Sequence, residues 1–299
     1  MHVPGDKPKL EVSSVVYATD FSASSENAGV YAKLLAQHFG ATLFAAHAFI
    51  RSQAAMEIEA DHKVESQQRR DLQQLIARKT SALSSDSLQV VPALLDGDPH
   101  HAVAEFAEKH APALIVLGTH GAGRMVRGLI GSVAEKILRG TRWPCLTVGP
   151  HAPMASLTAA APPFKRILCV TDFTADSAPG ILFAHSVAEA FGAEIDILNV
   201  VPEKTAENPD RLAEFKANFH NAIESLVPGS TRDLSHSQTF VEAGNVHNRI
   251  LEHVKERSID VIMLGIRTTP QVGLEMQTPL AFQIIVDAPC PVLTVTRLQ

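Results

Sequence analysis

The chain repeats itself, and that repeat limits its fold more than any other feature of the sequence. VVYATDFS (15–22) recurs as ILCVTDFT (167–174), and FGATL (39–43) as FGAEI (191–195), both pairs 152 residues apart. Further on, LIVLG (114–118) recurs as VIMLG (261–265) and PCLTV (144–148) as PVLTV (291–295), now 147 residues apart. One net deletion of five residues in the second copy reconciles the two spacings, and a chance match would not keep this order. A tandem duplication predicts two units of the same architecture, as the length of 299 residues also suggests. The Pro- and Ala-rich stretch between the copies carries no apolar periodicity and reads as a linker. We expect domains at 1–150 and 164–299, joined by 151–163.

Within the first copy apolar runs alternate with helical patterns. KLEVSSVVYAT, ATLFAAHAF, QVVPALLDG, ALIVLG and PCLTVG read as five strands. The Ser-rich SASSEN caps a first helix, and a long polar helix covers roughly residues 55–83. PHHAVAEFAEKH forms a third helix with Pro99 in its first turn, and GSVAEKILRG forms a fourth. Apolar strands alternating with helices predict α/β units, each a five-stranded parallel sheet with helices on both faces. In such a fold a ligand binds at the carboxyl ends of the strands.

GTHGAGRMVRGLIGS (118–132) follows the fourth strand and holds five glycines and two arginines. Its glycines are spaced Gly118-x2-Gly121-x9-Gly131-Ser132. Gly118 and Gly121 allow backbone N–H groups close to a ligand. Gly131 and Ser132 open a helix whose orphan N–H groups and dipole favour an anion. Asp20 ends the first strand and Ala48 lies near the end of the second, so both reach the same crevice. The loop fits neither GxxxxGK[ST] nor GxGxxG. On its own it reads equally well as a flexible surface loop with a glycine helix cap.

VVYATDFS, GDPHHAV and GTHGAGRMVRGLIGSVAEKIL together resemble the universal stress protein family, in particular its ATP-binding branch. The resemblance covers both copies, nearly the whole chain outside residues 1–10 and the linker. It implies two Rossmann-like domains of the adenine nucleotide alpha hydrolase-like type, dimers formed through the last strand, and a regulatory role in the stress response. Carried onto this sequence, it implies that Asp20 contacts ribose or adenine, with the backbone near Ala18 and Ala48 lining the adenine. Gly118 and Gly121 would approach the ribose and α-phosphate, and Gly131 and Ser132 would hold the outer phosphates. Arg124 and Arg127 either screen phosphate charge or form a solvated loop face. The implied cofactor is ATP, with or without Mg2+.

The second copy departs from this pattern. Gly118 maps to Gly265, but Gly121, Gly131 and Ser132 map to Thr268, Thr278 and Pro279 in GIRTTPQVGLEMQTP. Proline removes both an N–H and a hydroxyl. Asp172 keeps the place of Asp20, where it can equally cap a helix. We expect one competent nucleotide site per chain, in the first copy, with the second as a structural or regulatory partner. CLTVG and VLTVT are expected to pair antiparallel as an internal pseudo-dimer, and the same family trait would allow a homodimer; the protein partner of the switch is unknown.

Other classes find less support. A net charge of −6 and 5% aromatic residues argue against nucleic acid as a partner. No apolar run approaches the ~18 residues of a membrane span, and the start shows no apolar core of signal length. Three dispersed cysteines fit a reducing compartment, so the chain reads as cytoplasmic. No nucleophile–base pair, G-x-S-x-G or metal signature appears. Most of the fourteen histidines, including His100, His101 and His110, read as surface or capping residues. His120 lies in the loop beside the expected phosphates, where packing and chemistry serve equally well as explanations. Two alternatives to the ATP-binding switch are a slow ATPase or nucleotidyl-transfer enzyme, and an interaction scaffold that binds no nucleotide.

Overall fold

The computed structural model describes residues 10–50, 59–119, 129–154, 164–173, 178–226, 237–266 and 280–296. The first copy runs β1 (Ser14–Ala18), α1 (Ala23–Phe39), β2 (Thr42–Phe49), α2 (Glu59–Ser81), β3 (Val90–Asp96), α3 (Pro99–Lys109), β4 (Ala113–Gly118), α4 (Ser132–Gly140) and β5 (Cys145–Val148). The second runs β6 (Arg166–Val170), α5 (Ala178–Phe191), β7 (Glu194–Val201), α6 (Glu203–Ala206), α7 (Pro209–Leu226), β8 (Ser237–Ala243), α8 (Val246–Arg257), β9 (Val261–Ile266), α9 (Leu280–Asp287) and β10 (Val292–Thr296). The short α6, followed by α7, stands where the first copy has the single long α2.

Local chemistry sets the helix ends. Ser22 caps α1 by accepting from the Ser25 N–H, and Gly40 ends it at φ 62° while its N–H reaches the Ala36 and Gln37 carbonyls. Asp98 caps α3 and Pro99 occupies its first turn, where a missing N–H costs nothing. The strongly polar α2 still turns Ile76 and Thr80 inward against the outer strands.

The ten strands of the described residues form one sheet in the order β3-β2-β1-β4-β5-β10-β9-β6-β7-β8. Every neighbouring pair is parallel except β5 and β10, which run antiparallel with Leu146 opposite Leu293. The antiparallel pairing expected between CLTVG and VLTVT is therefore made inside one chain. The 152-residue repeat is exact in register: Ala18 lies opposite Ala46, and Val170 opposite Leu198.

Helices cover both faces. One apolar layer lies under α1, α2, α5 and α7, and the other under α3, α4, α8 and α9. Each fully buried Leu, Ile or Phe contributes about 1.5–3 kcal/mol from removed apolar surface, and both layers run unbroken across the junction. There, His38 stacks on Phe191 at 4.5 Å and donates through Nε2 to the Ala190 carbonyl, and the Arg139 guanidinium lies 4.9 Å over Phe282. Gly149 is buried against α9, where a Cβ would stand 2.6 Å from the Ile285 carbonyl oxygen. The segment expected as a linker begins attached to the first copy: Asn27 and Tyr31 donate to the carbonyls of Ala152 and Pro153. Among the described residues no helix is long and apolar enough to cross a membrane.

Candidate functional site

In each half of the sheet the chain moves outward from one central strand and then returns to its other side. In the first copy that reversal lies between β1 and β4, where an open α/β sheet leaves a crevice at its carboxyl end. Ala18 ends β1 with Leu117 as its partner, and Gly118 ends β4 one residue further along. Ala48 lies in β2, on the same face as Ala18. Thr119 is fully buried, and its carbonyl accepts from the Gly131 N–H at 2.8 Å. This bond ties together the two ends of the loop between β4 and α4. Of the expected site residues, Ala18, Asp20, Ala48, Gly118, Gly131 and Ser132 share this end of the sheet. Gly121, Arg124 and Arg127, together with His120, lie outside the described residues.

The mouth of α4 is suited to an anion. Gly131 is its N-cap at φ −63°, ψ 144° and supplies no side-chain cap. The first intrahelical bond runs from the Glu135 N–H to the Gly131 carbonyl, so the N–H groups of Ser132, Val133 and Ala134 have no helical acceptor. Ser132 and Val133 are exposed there. The helix dipole adds partial positive charge at the same point. Glu135, in the first turn, is engaged by Arg139 at 3.0 Å.

The turn carrying Asp20 is held by residues that sequence reasoning passed over. Phe21 has φ 63°, an uncommon conformation for a non-glycine residue. Its N–H donates to Thr19 Oγ1 at 3.0 Å, and that buried oxygen lies 3.1 Å from both the Tyr17 and Ser25 hydroxyls. His47 Nδ1 donates to the Thr19 carbonyl at 2.8 Å, and its ring packs on Phe21 at 4.7 Å. Asp20 Oδ1 accepts from the N–H and hydroxyl of Ser22, at 3.1 and 2.7 Å. The second copy repeats the turn: Phe173 has φ 55°, its N–H donates to Thr171 Oγ1, and Asn199 Nδ2 donates to the Thr171 carbonyl at 2.9 Å. The recurring TDF, with His47 and Asn199 one repeat apart, was the signal in the sequence.

Register also shows how the second crevice differs. Val170 and Val200 occupy the places of Ala18 and Ala48, so each adds two methyl groups at the ends of β6 and β7. Gly265 remains in β9, while Thr268, Thr278 and Pro279 lie outside the described residues. Asp172 keeps its place and is exposed. Among the described residues no group of three or more His, Cys, Asp or Glu side chains could hold a metal ion.

The histidines are less uniform than expected. The His100 ring turns back to the Asp98 carboxylate and lies 3.9 Å from the His101 ring. His110 closes α3 as its C-cap. His253 is neither a surface nor a capping residue; it is buried among charged groups.

A family model described as the universal stress protein family matches residues 11–149 and 163–296. A universal stress protein of Methanocaldococcus jannaschii is 29% identical over 136 residues, which covers 45% of this chain and 80% of that protein. Among solved structures, a universal stress protein from Archaeoglobus fulgidus aligns with a TM-score of 0.66 at 19% identity, covering 95% of this chain and 96% of that one. A functionally unknown protein from Pseudomonas aeruginosa aligns with a TM-score of 0.56 at 14% identity, covering 96% and 93%. These structural likenesses extend over both copies and concern the fold.

Proposed function

The chain belongs to the universal stress protein family, and from that premise we propose that it binds an adenine nucleotide in its first copy as a ligand-biased switch. The reading takes residues 1–150 as the binding unit and 164–299 as its structural or regulatory partner. The observation that carries it is the crevice at β1 and β4. There the Gly131–Thr119 hydrogen bond joins the end of β4 to the uncapped start of α4. Ala18 and Ala48 leave room for the base, and the N–H groups of Ser132 and Val133, at the helix start that Gly131 caps, would face the phosphates. Charge-assisted hydrogen bonds of this kind contribute about 1.5–3 kcal/mol each. A few of them support micromolar binding of ATP. A Mg2+ ion, where present, would be held through the phosphates.

The second crevice has valines in place of both alanines and proline in place of the serine. Calorimetric titration of the full chain with ATP is therefore expected to give one site per chain. Two equivalent sites would refute the assignment of binding to the first copy alone. Following ADP and AMP in the same mixtures separates a switch from an enzyme: the switch retains ATP stoichiometrically, and steady turnover would favour the ATPase.

His47 supports the site indirectly by holding the Thr19–Asp20–Phe21 turn. His47→Leu removes the donor to the Thr19 carbonyl and is expected to weaken ATP and adenosine binding alike, by about tenfold, the worth of one hydrogen bond. Binding of inorganic tripolyphosphate should not change. His47→Asn, which installs the residue used at Asn199, should restore affinity to within about threefold. If His47→Leu binds all three ligands like the wild type, the turn needs no such support.

A further inference from the structure

His253 sits in α8 with 2% of its side chain exposed, facing two carboxylates. Its Nδ1 lies 2.8 Å from Glu242 Oε1 on β8, and its Nε2 lies 3.2 Å from Asp196 Oδ2 on β7, itself 2% exposed. On α8, Arg257 donates through Nε to Asp196 at 2.9 Å and through its Nη2 to the neutral Gln238 at 2.8 Å. Phe240 closes the cluster, 4.7 Å from the His253 ring and 5.1 Å from the Arg257 guanidinium. The acid of neighbouring α9, Asp287, is paired with His247 instead.

A neutral imidazole has one N–H, so it can donate to only one of these carboxylates and turns a lone pair toward the other. The imidazolium donates to both. Charge balance favours the same state: Arg257 offsets one of the two carboxylates, and a protonated His253 neutralises the negative charge that remains beside it.

The fold itself does not require this cluster. One repeat earlier, the places of Asp196, His253, Arg257 and Glu242 are held by Phe44, Phe106, His110 and Leu95. There the rings pack face to edge, Phe44 on Phe106 at 5.2 Å, with His110 4.1 Å from Phe106. The same helix-on-sheet seam is apolar and aromatic in one copy and ionic in the other.

We infer that the second copy contains a proton-dependent latch, in which a charged His253 ties α8 to both β7 and β8 and gives up one of those two ties on losing its proton. Burial alone would lower the His253 pKa, but its hydrogen bonds to Asp196 and Glu242 outweigh burial and hold it above the ordinary 6.5. Burial pushes Asp196 up, and its bonds from His253 and Arg257 more than reverse that. A raised histidine stabilises fully below its unfolded pKa and loses that contribution as pH rises through the folded value. A lowered carboxylate stabilises above its unfolded pKa and loses that contribution as pH falls through the folded value. The latch is therefore closed between the carboxylate range and the ordinary histidine range, and loosens on the alkaline side. Glu242 is followed by Ala243, Gly244 and the α8 N-cap Asn245, so release loosens the rim of the second crevice.

Two measurements on the full chain test the latch. In histidine-labelled protein, the ring resonances of His253, assigned by their absence from His253→Phe, should titrate with a midpoint above the ordinary 6.5. A midpoint at or below that value would overturn the inference. In urea titrations between pH 6.5 and 9, the wild type should lose stability more steeply than His253→Phe, which carries the side chain of the first copy. The difference can reach at most one proton, or about tenfold in the unfolding constant per pH unit; parallel slopes would refute the latch. Should that variant fail to fold, Glu242→Gln must lower the His253 midpoint, with its resonance identified as the one that moves. An unmoved set of histidine midpoints would count against the latch equally.

Discussion

Gly131→Val is expected to abolish ATP binding while leaving the chain folded. The backbone at Gly131, φ −63° and ψ 144°, is open to any residue, and its N–H to the Thr119 carbonyl survives the change. Exchanging glycine for valine at an uncapped helix start costs the fold only about 0.5–1 kcal/mol. The branched side chain, however, stands at the mouth of α4, over the N–H groups of Ser132 and Val133. Losing two charge-assisted bonds there weakens binding by more than about 100-fold. Calorimetry with ATP, beside a thermal melt, reads both effects. Unchanged affinity would remove Gly131 from the site, and a collapsed melt would show that the glycine serves packing instead.

Gly149→Ala should cause the largest loss of stability. The new Cβ would stand 2.6 Å from the Ile285 carbonyl oxygen, a backbone atom of α9 that cannot swing aside as a side-chain tip would. The end of β5 and α9 must separate, and overpacking of this kind costs about 1–3 kcal/mol or more. Gly140→Ala is the control: nothing lies within 4 Å of its Cβ, and as a helical glycine it should gain up to about 1 kcal/mol. Urea unfolding of the two variants should move in opposite directions. Equal midpoints for Gly149→Ala and the wild type would show that the junction yields at little cost.

Much of the fold was legible because the signals were local and doubled. The strands ALIVLG and PCLTVG appear as β4 and β5 within a residue of their apolar bounds, and SASSEN and HFG bracket α1 through Ser22 and Gly40. The crevice was legible through topology, although β1 ends at Ala18 and Asp20 lies two residues beyond it, beside the end of β4 at Gly118. Less visible was what holds it. Thr19 acts through a hydroxyl shared among Tyr17, Phe21 and Ser25, and no spacing rule marks such a network. The exchange of Ala18 and Ala48 for Val170 and Val200 was present in the sequence, but gained meaning only once register put both pairs at strand ends. The latch was beyond reach for a different reason. Asp196, Glu242 and His253 come from three elements, and a histidine on a helix carries no sign of the two carboxylates that will enclose it.

The antiparallel junction of β5 with β10 has an evolutionary consequence. In a symmetric dimer of identical subunits, every substitution appears twice, so a change that suits one role is imposed on both partners. Joining the halves in one chain keeps them at a fixed one-to-one ratio while allowing each to vary alone. Here one half carries glycines and small alanines at its crevice, and the other has valines in place of those alanines and an ionic seam in place of an aromatic one. The junction thus gives the gene two independently adjustable compartments under a single dosage.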